Sequence, residues 1–191
     1  MSFERQKKTA LNNLEASLNV GDVDPALKPL LEAINSFDRY YSTSSCSGRV
    51  ALLQDIKGKG ECRFLGKWHR RATSDEVLRV LKPCDGVVWF RYESPILHVI
   101  ARDIKAASEL LKACRSAGFK RSGIQSMKEE RLMVEVLSTE RLDAPVMADG
   151  ITLVSDEYIR YLVGQANLKY DRGSSKLDKL LECLKSVQAA I

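Results

Sequence analysis

The hydrophobic period of this chain switches between helical and strand spacing along its length, and that order limits the fold more than any single motif does. Phe3, Ala10, Leu11, Leu14 and Leu18 recur at helical spacing over residues 3–19. Asp22 and Asp24 ahead of Pro25 then predict a second helix through Leu27, Leu30, Leu31 and Ile34 toward Phe37. β-Rich runs follow at 50–54, 63–69, 86–92, 96–102, 122–127 and 132–137. Two helices are inserted among them. One covers 75–81, capped by Thr73 or Ser74 and stopped before Pro83, and the other runs from Asp103 to Gly118. Helical spacing returns from Ser155 through Ala166 and, after a break near Asp171-Arg172-Gly173, over 176–189. Helices, strands with inserted helices, then helices again predict an α+β protein rather than regular crossover units. Glu93-Ser94-Pro95 between two strand runs predicts a hairpin or a closely related pair, and a basic turn is expected at 57–60 and a charged one at 128–130. No stretch rich in Gly, Ser or Pro divides the chain, so residues 1–191 are expected to form a single domain, a curved mixed β-sheet with flanking helices.

Composition narrows the class. A net charge of +5 permits a polyanionic partner without demanding one. Five cysteines, odd in number and without a C-x-x-C pair, argue against a disulfide framework, and two histidines with no cysteine nearby argue against a structural zinc site. Residues 3–18 are charged and amphipathic rather than a signal peptide, and no apolar run approaches a membrane span. The expected compartment is reducing and cytoplasmic, and no metal and no membrane partner are expected.

Chemistry concentrates in a few places. Tyr41-Ser42-Thr43-Ser44-Ser45-Cys46-Ser47-Gly48-Arg49-Val50 reads as a polar loop slung between two strands. Its hydroxyls could bond their own backbone in a serine-rich turn, or its amides and Arg49 could hold an anionic group or a charged cofactor. The glycine patterns of dinucleotide and nucleoside-triphosphate loops are missing. His98, within Ile96-Leu97-His98-Val99-Ile100, falls on the face of Ile96 and Ile100, where it is either a satisfied core histidine or a functional one. Arg91 and Glu93 share a strand face, as an ion pair or as a carboxylate placed for proton transfer or base recognition. Lys57, Lys59, Lys67, Arg70, Arg71, Lys120 and Arg121 make a phosphate-contacting surface if their strand ends converge, and scattered solvated charges otherwise.

Several of these segments together resemble the tRNA wybutosine-synthesizing protein 3 family in its short stand-alone form, over nearly the whole length. Tyr41-Ser-Thr-Ser-Ser-Cys-Ser-Gly-Arg49 is similar to the family's aromatic-T/S-T-S-S-C-A/S-G-R signature, and Trp68-His69 falls where the family ends a strand in histidine. Arg91-Tyr92-Glu93 with Leu97-His98-Val99, Gly118-Phe119-Lys120-Arg121-Ser122-Gly123-Ile124, Ser138-Thr139, Glu157-Tyr158-Ile159 and Ala166-Asn167 match further family patterns. Ser94-Pro95 inverts a proline-aromatic order, and Arg91 stands where lysine is common.

The resemblance implies an S-adenosyl-L-methionine-dependent methyltransferase of wyosine biosynthesis. Its substrate would be ring nitrogen 4 of a 4-demethylwyosine-type base just 3′ of the anticodon of tRNA(Phe). The missing glycine-rich fingerprint argues against the usual Rossmann-type methyltransferase fold. The expected partners are the tRNA(Phe) anticodon loop and, transiently, other enzymes of the pathway. On the same footing Ser45, Cys46, Ser47, Gly48, Arg49 and Trp68 would hold the cofactor. Glu93, His98 and His69 would be the acid–base candidates. Tyr41, Arg70, Arg71, Arg91, Lys120, Arg121, Ser122 and Asn167 would contact the RNA. The rival expectation is an RNA-binding adaptor of the pathway that catalyses nothing.

Overall fold

Ser2 accepts a bond from the Arg5 backbone N–H and Gly21 closes the turn at φ +78°, so the first helix, α1, runs Phe3–Val20. The structure, a computed structural model, describes residues 2–56, 61–128 and 131–189. After a 3-10 turn at Pro25–Leu27 come α2 (Lys28–Ser36), β1 (Tyr40–Cys46), β2 (Arg49–Ile56), β3 (Glu61–Trp68), α3 (Ser74–Val80), β4 (Val87–Glu93) and β5 (Ile96–Ala101). α4 (Ile104–Ser116), β6 (Gly123–Lys128), β7 (Arg131–Leu137), β8 (Arg141–Ala148), β9 (Ile151–Thr152) and α5 (Asp156–Ala189) complete the order. The turn expected at 57–60, and residues 129–130 of the other, lie outside the described residues. None of the described helices is long and apolar enough to cross a membrane.

The class is α+β, as the order of periods predicts. Where one mixed sheet is expected, the described strands form two sheets, ordered β1-β5-β7-β6 and β3-β2-β4-β8-β9, and each pairing is antiparallel. The chain packs as two units, Met1–Ser47 with Pro95–Thr139 and Ser174–Ile191, and Gly48–Ser94 with Glu140–Gly173.

In the first unit the four-stranded sheet has a different cover on each face. Tyr40, Leu97, Val99, Val134 and Val136 are buried with Leu30, Leu31 and Ile34 of α2, Leu110 and Cys114 of α4, and Leu177, Leu180 and Leu184 of α5. Tyr41, Ile100 and Met133, one residue out of phase, point to the opposite face and meet Phe3 and Ala10 of α1. Burial pushes the Tyr40 phenol up to about 12, and its hydroxyl donates to Ala106 O at 2.8 Å.

In the second unit Val50, Leu52, Val88, Phe90, Tyr92, Val146 and Met147 pack with Val77 of α3 and Ile159, Leu162, Val163 and Ala166 of α5. Thr73 and Glu76 close a capping box at the start of α3. The alternate residues Arg49, Arg91 and Glu93 take the other face.

Three further expectations change. β4 and β5 lie in different sheets and form no hairpin. A two-residue hairpin turn needs positive φ at both central positions or at the first alone, and Pro95 bars the former while Ser94 stands where the latter calls for glycine. The serine-rich segment is strand β1 up to Cys46 rather than a loop, leaving Ser47-Gly48 as the link to β2, with Gly48 at φ +96°. The last two helices are one, because an interior glycine costs only about 1 kcal/mol, and buried Gly173 continues into packed Leu177 and Leu180. The sequence pattern also passes over β8, whose Pro145 sits beside a register shift against Val88 and Trp89.

Candidate functional site

The first unit carries a line of polar side chains across its sheet, on the face that α1 partly covers. β5 and β7 pair in a register that sets His98 directly opposite Glu135. Along β1, three steps from Ser42 to Ser45 answer two steps from Val99 to Leu97, so a bulge crowds Thr43 and Ser44 against His98. Along β6, the step from Ile124 to Ser126 answers a single step on β7, so Gln125 is the extra residue of a second bulge.

Both bulges aim a side chain into the line. Ser44 Oγ lies 2.6 Å from His98 Nδ1, His98 Nε2 lies 3.2 Å from Glu135 Oε2, and Gln125 Nε2 donates to Glu135 Oε1 at 2.7 Å. Thr43 Oγ1 donates to the His98 carbonyl at 3.3 Å. Ser44 also borders a cleft of about 300 Å³ between α1 and β1, lined on its polar side by Asn13, Ser17, Asp22, Thr43 and Ser45. His98 is therefore a half-buried histidine satisfied at both nitrogens, one of them through an exposed hydroxyl.

Other candidates in this unit are placed differently. Tyr41 is buried, tilted against Phe3 at 5.2 Å, and donates to Gln6 Oε1 at 3.0 Å. Ser47 is buried, and its N–H and hydroxyl both donate to Asp24 Oδ2, at 2.8 and 2.9 Å. Ser45 and Cys46 are half-buried and pair with Leu97 and Ile96. Ser122 is buried and accepts from the Leu137 N–H at 3.1 Å, while buried Phe119 anchors the turn that leaves Lys120 and Arg121 exposed.

The second unit presents a lattice of alternating charge. Arg49 Nε meets Glu93 Oε2 at 2.5 Å, Arg91 Nη1 meets Glu93 Oε1 at 3.4 Å, and Arg91 Nε meets Asp143 Oδ1 at 2.6 Å. Arg141 pairs with the other Asp143 oxygen. Burial pushes the Asp143 carboxyl up, and the bonds from Arg141 and Arg91 outweigh it, so the group sits below its ordinary value. The Arg49 guanidinium also lies 4.7 Å from the centre of the Phe64 ring. Cross-strand register explains the lattice: Arg49, Glu93 and Arg141 form one row and Arg91 and Asp143 the next.

At the end of β3, Trp68 lies over Gly66 and packs on the core of this unit. The His69 carbonyl accepts from Tyr170 Oη at 3.0 Å. Arg70 grips both oxygens of Glu76, at 2.5 and 3.1 Å, and Arg71 meets Asp171 at 3.1 Å. The Arg70 bonds, with the backbone bond from Thr73, hold the Glu76 carboxyl down at about 2. Asn167 clamps Ala72, accepting from its N–H at 3.0 Å and donating to its carbonyl at 2.9 Å.

Sequence reasoning missed Glu135, Gln125, Asp143 and Arg141. Alternation in β7 puts Glu135 opposite buried Val134 and Val136, a signal that was available. The bulge at Gln125 and the pairing of β8 left no local trace.

An antiparallel α+β chain of this kind stands apart from the parallel, glycine-fingerprinted sheets that bind dinucleotides. It matches the family described as Methyltransferase TYW3 over residues 5–186, and it belongs to that family. It is 45% identical over 184 residues to tRNA(Phe) 7-((3-amino-3-carboxypropyl)-4-demethylwyosine(37)-N(4))-methyltransferase 1 of Pyrococcus abyssi, with 95% of each chain covered. The protein of the same description from Pyrococcus furiosus is 44% identical, covering 94% of this chain and 93% of that one. A solved structure of a Pyrococcus horikoshii protein superposes with a TM-score of 0.91 at 41% identity, over 96% of both chains.

Proposed function

We propose that this protein transfers a methyl group from S-adenosyl-L-methionine to ring nitrogen 4 of the 7-(3-amino-3-carboxypropyl)-4-demethylwyosine base of tRNA(Phe), next to the anticodon, in the cytoplasm. The reading rests on the end-to-end likeness to the Pyrococcus abyssi enzyme. The 1–191 chain would act as one functional domain.

The reaction asks the protein to orient the acceptor nitrogen and to remove its proton. When bound, the cofactor supplies an electrophilic methyl carried on a sulfonium. Of the cofactor candidates Arg49 fits best, because a planar cation already oriented by Glu93 and Phe64 suits the cofactor carboxylate. Ser47 is less suited, since both of its donors are engaged by Asp24.

Among the acid–base candidates both Glu93 oxygens are in ion pairs, whereas His98 has a hydroxyl on one nitrogen and a carboxylate on the other. Proton removal is therefore assigned to His98. Exposed Lys120 and Arg121, with Arg70, Arg71 and Arg91, would meet RNA phosphates. Tyr41, Ser122 and Asn167 would serve by holding the segments that carry these groups.

The test is single-turnover methylation of tRNA(Phe) purified from a strain blocked at this step, with mass analysis of the nucleoside. A new N4-methylated nucleoside supports the reading. Tight tRNA binding without methylation would replace it with an adaptor role.

A further inference from the structure

As a carboxylate Glu135 accepts through Oε2, which pairs the 3.2 Å contact with a proton on His98 Nε2. In the neutral ring the lone pair is then on Nδ1, aimed at Ser44 Oγ at 2.6 Å, and the Ser44 hydroxyl is the donor. Gln125, on its own bulge, keeps the second Glu135 oxygen occupied and so fixes the carboxylate. Two irregularities in opposite edge strands of one four-stranded sheet thus serve a single histidine, and bulges are a means of re-aiming side chains. The far end of the line, Ser44, borders the cleft between α1 and β1.

We infer that Ser44, His98 and Glu135 form a proton relay, with the purine-type base entering the α1–β1 cleft and presenting its ring N–H to Ser44. This rests on the methyltransferase reading above and deepens it. The ring N–H proton passes to Ser44 Oγ while the Ser44 proton passes to His98 Nδ1. The N–H electron pair stays on nitrogen, which forms the new N–C bond, and the C–S pair leaves with the methyl donor. The imidazolium that results faces the Glu135 carboxylate until it returns a proton to water. Ser44 is the group that meets the substrate. Glu135 and Gln125 are positioning residues.

Two measurements test the relay on the full-length protein. The first needs neither cofactor nor RNA. Long-range ¹H–¹⁵N correlation spectra of the free protein should show the His98 ring as the Nε2–H tautomer, and Glu135→Leu should release it to a mixture. An Nδ1–H ring in the wild type would overturn the proposal.

The second is single-turnover methylation at saturating tRNA and cofactor. Ser44→Ala should lower the rate by about 10²-fold, Glu135→Gln by roughly tenfold and Ser44→Thr only slightly, with tRNA affinity unchanged in all three. An active wild type with an equally active Ser44→Ala variant would overturn the relay alone. A wild type that binds tRNA but never methylates it would overturn the function on which the relay rests.

Discussion

Arg49 Nε lies 2.5 Å from Glu93 Oε2 across the β2–β4 pair, and that contact is one link in a run of five alternating charges from Arg49 to Arg141. A carboxylate held by two guanidiniums is suited to positioning them. Glu93→Gln is therefore expected to keep the saturated methylation rate within about tenfold of wild type, whereas loss of a general base costs roughly 10²–10⁴-fold. The same variant should weaken cofactor binding as Arg49→Ala does and destabilise the fold by about 1–2 kcal/mol. Single-turnover rates, calorimetry with the cofactor and urea unfolding check the three expectations.

Glu76 ties α3 to Arg70, and the pairing has a defined pH window. Its carboxyl is held down at about 2, against an ordinary value of 4.5. The unfolded chain therefore binds the proton first as pH falls. The stabilisation from this group is complete above about 4.5 and declines below it. It is gone once pH has dropped through about 2. Carbon-detected titration of Glu76 should give the low midpoint, and Arg70→Ala should move it up toward the ordinary range.

Gly21 and Gly86 separate backbone strain from steric clash. Both have left-handed φ, +78° and +77°, but a Cβ on Gly21 meets nothing within 4 Å, whereas one on Gly86 would sit 2.2 Å from the Asp55 carbonyl oxygen. Gly21→Ala should cost about 1 kcal/mol. Gly86→Ala adds the displacement of a strand carbonyl and should cost more than about 2 kcal/mol. Chemical denaturation of the two variants decides.

Lys120 and Arg121 project from a turn pinned by buried Phe119. If they meet phosphates, Lys120→Ala and Arg121→Ala should each weaken tRNA binding and reduce the slope of log affinity against log salt by about 1. Filter binding across a salt series reads both effects, and an unchanged slope would remove these residues from the RNA surface.

Much of this molecule was legible in its residues. The caps at Thr73 and Asp103 and the apolar stripes of the helices are local, so periodicity and side-chain chemistry place them. The alternation that sends Leu97 and Val99 to one face and His98 and Ile100 to the other is local too. What could not be read locally was pairing. Nothing near Pro145 announces that β8 joins a sheet beside β4, and nothing near Gly173 shows that packing on either side carries the helix through it. The charge lattice and the Ser44–His98–Glu135 line share that origin. Each joins residues on different strands, and their meeting depends on register and on two single-residue bulges. A strand's own sequence states which way each side chain points. Which neighbour it faces is settled by hydrogen-bonded partners distant in the chain, and in this protein the polar groups proposed for chemistry depend on that second choice.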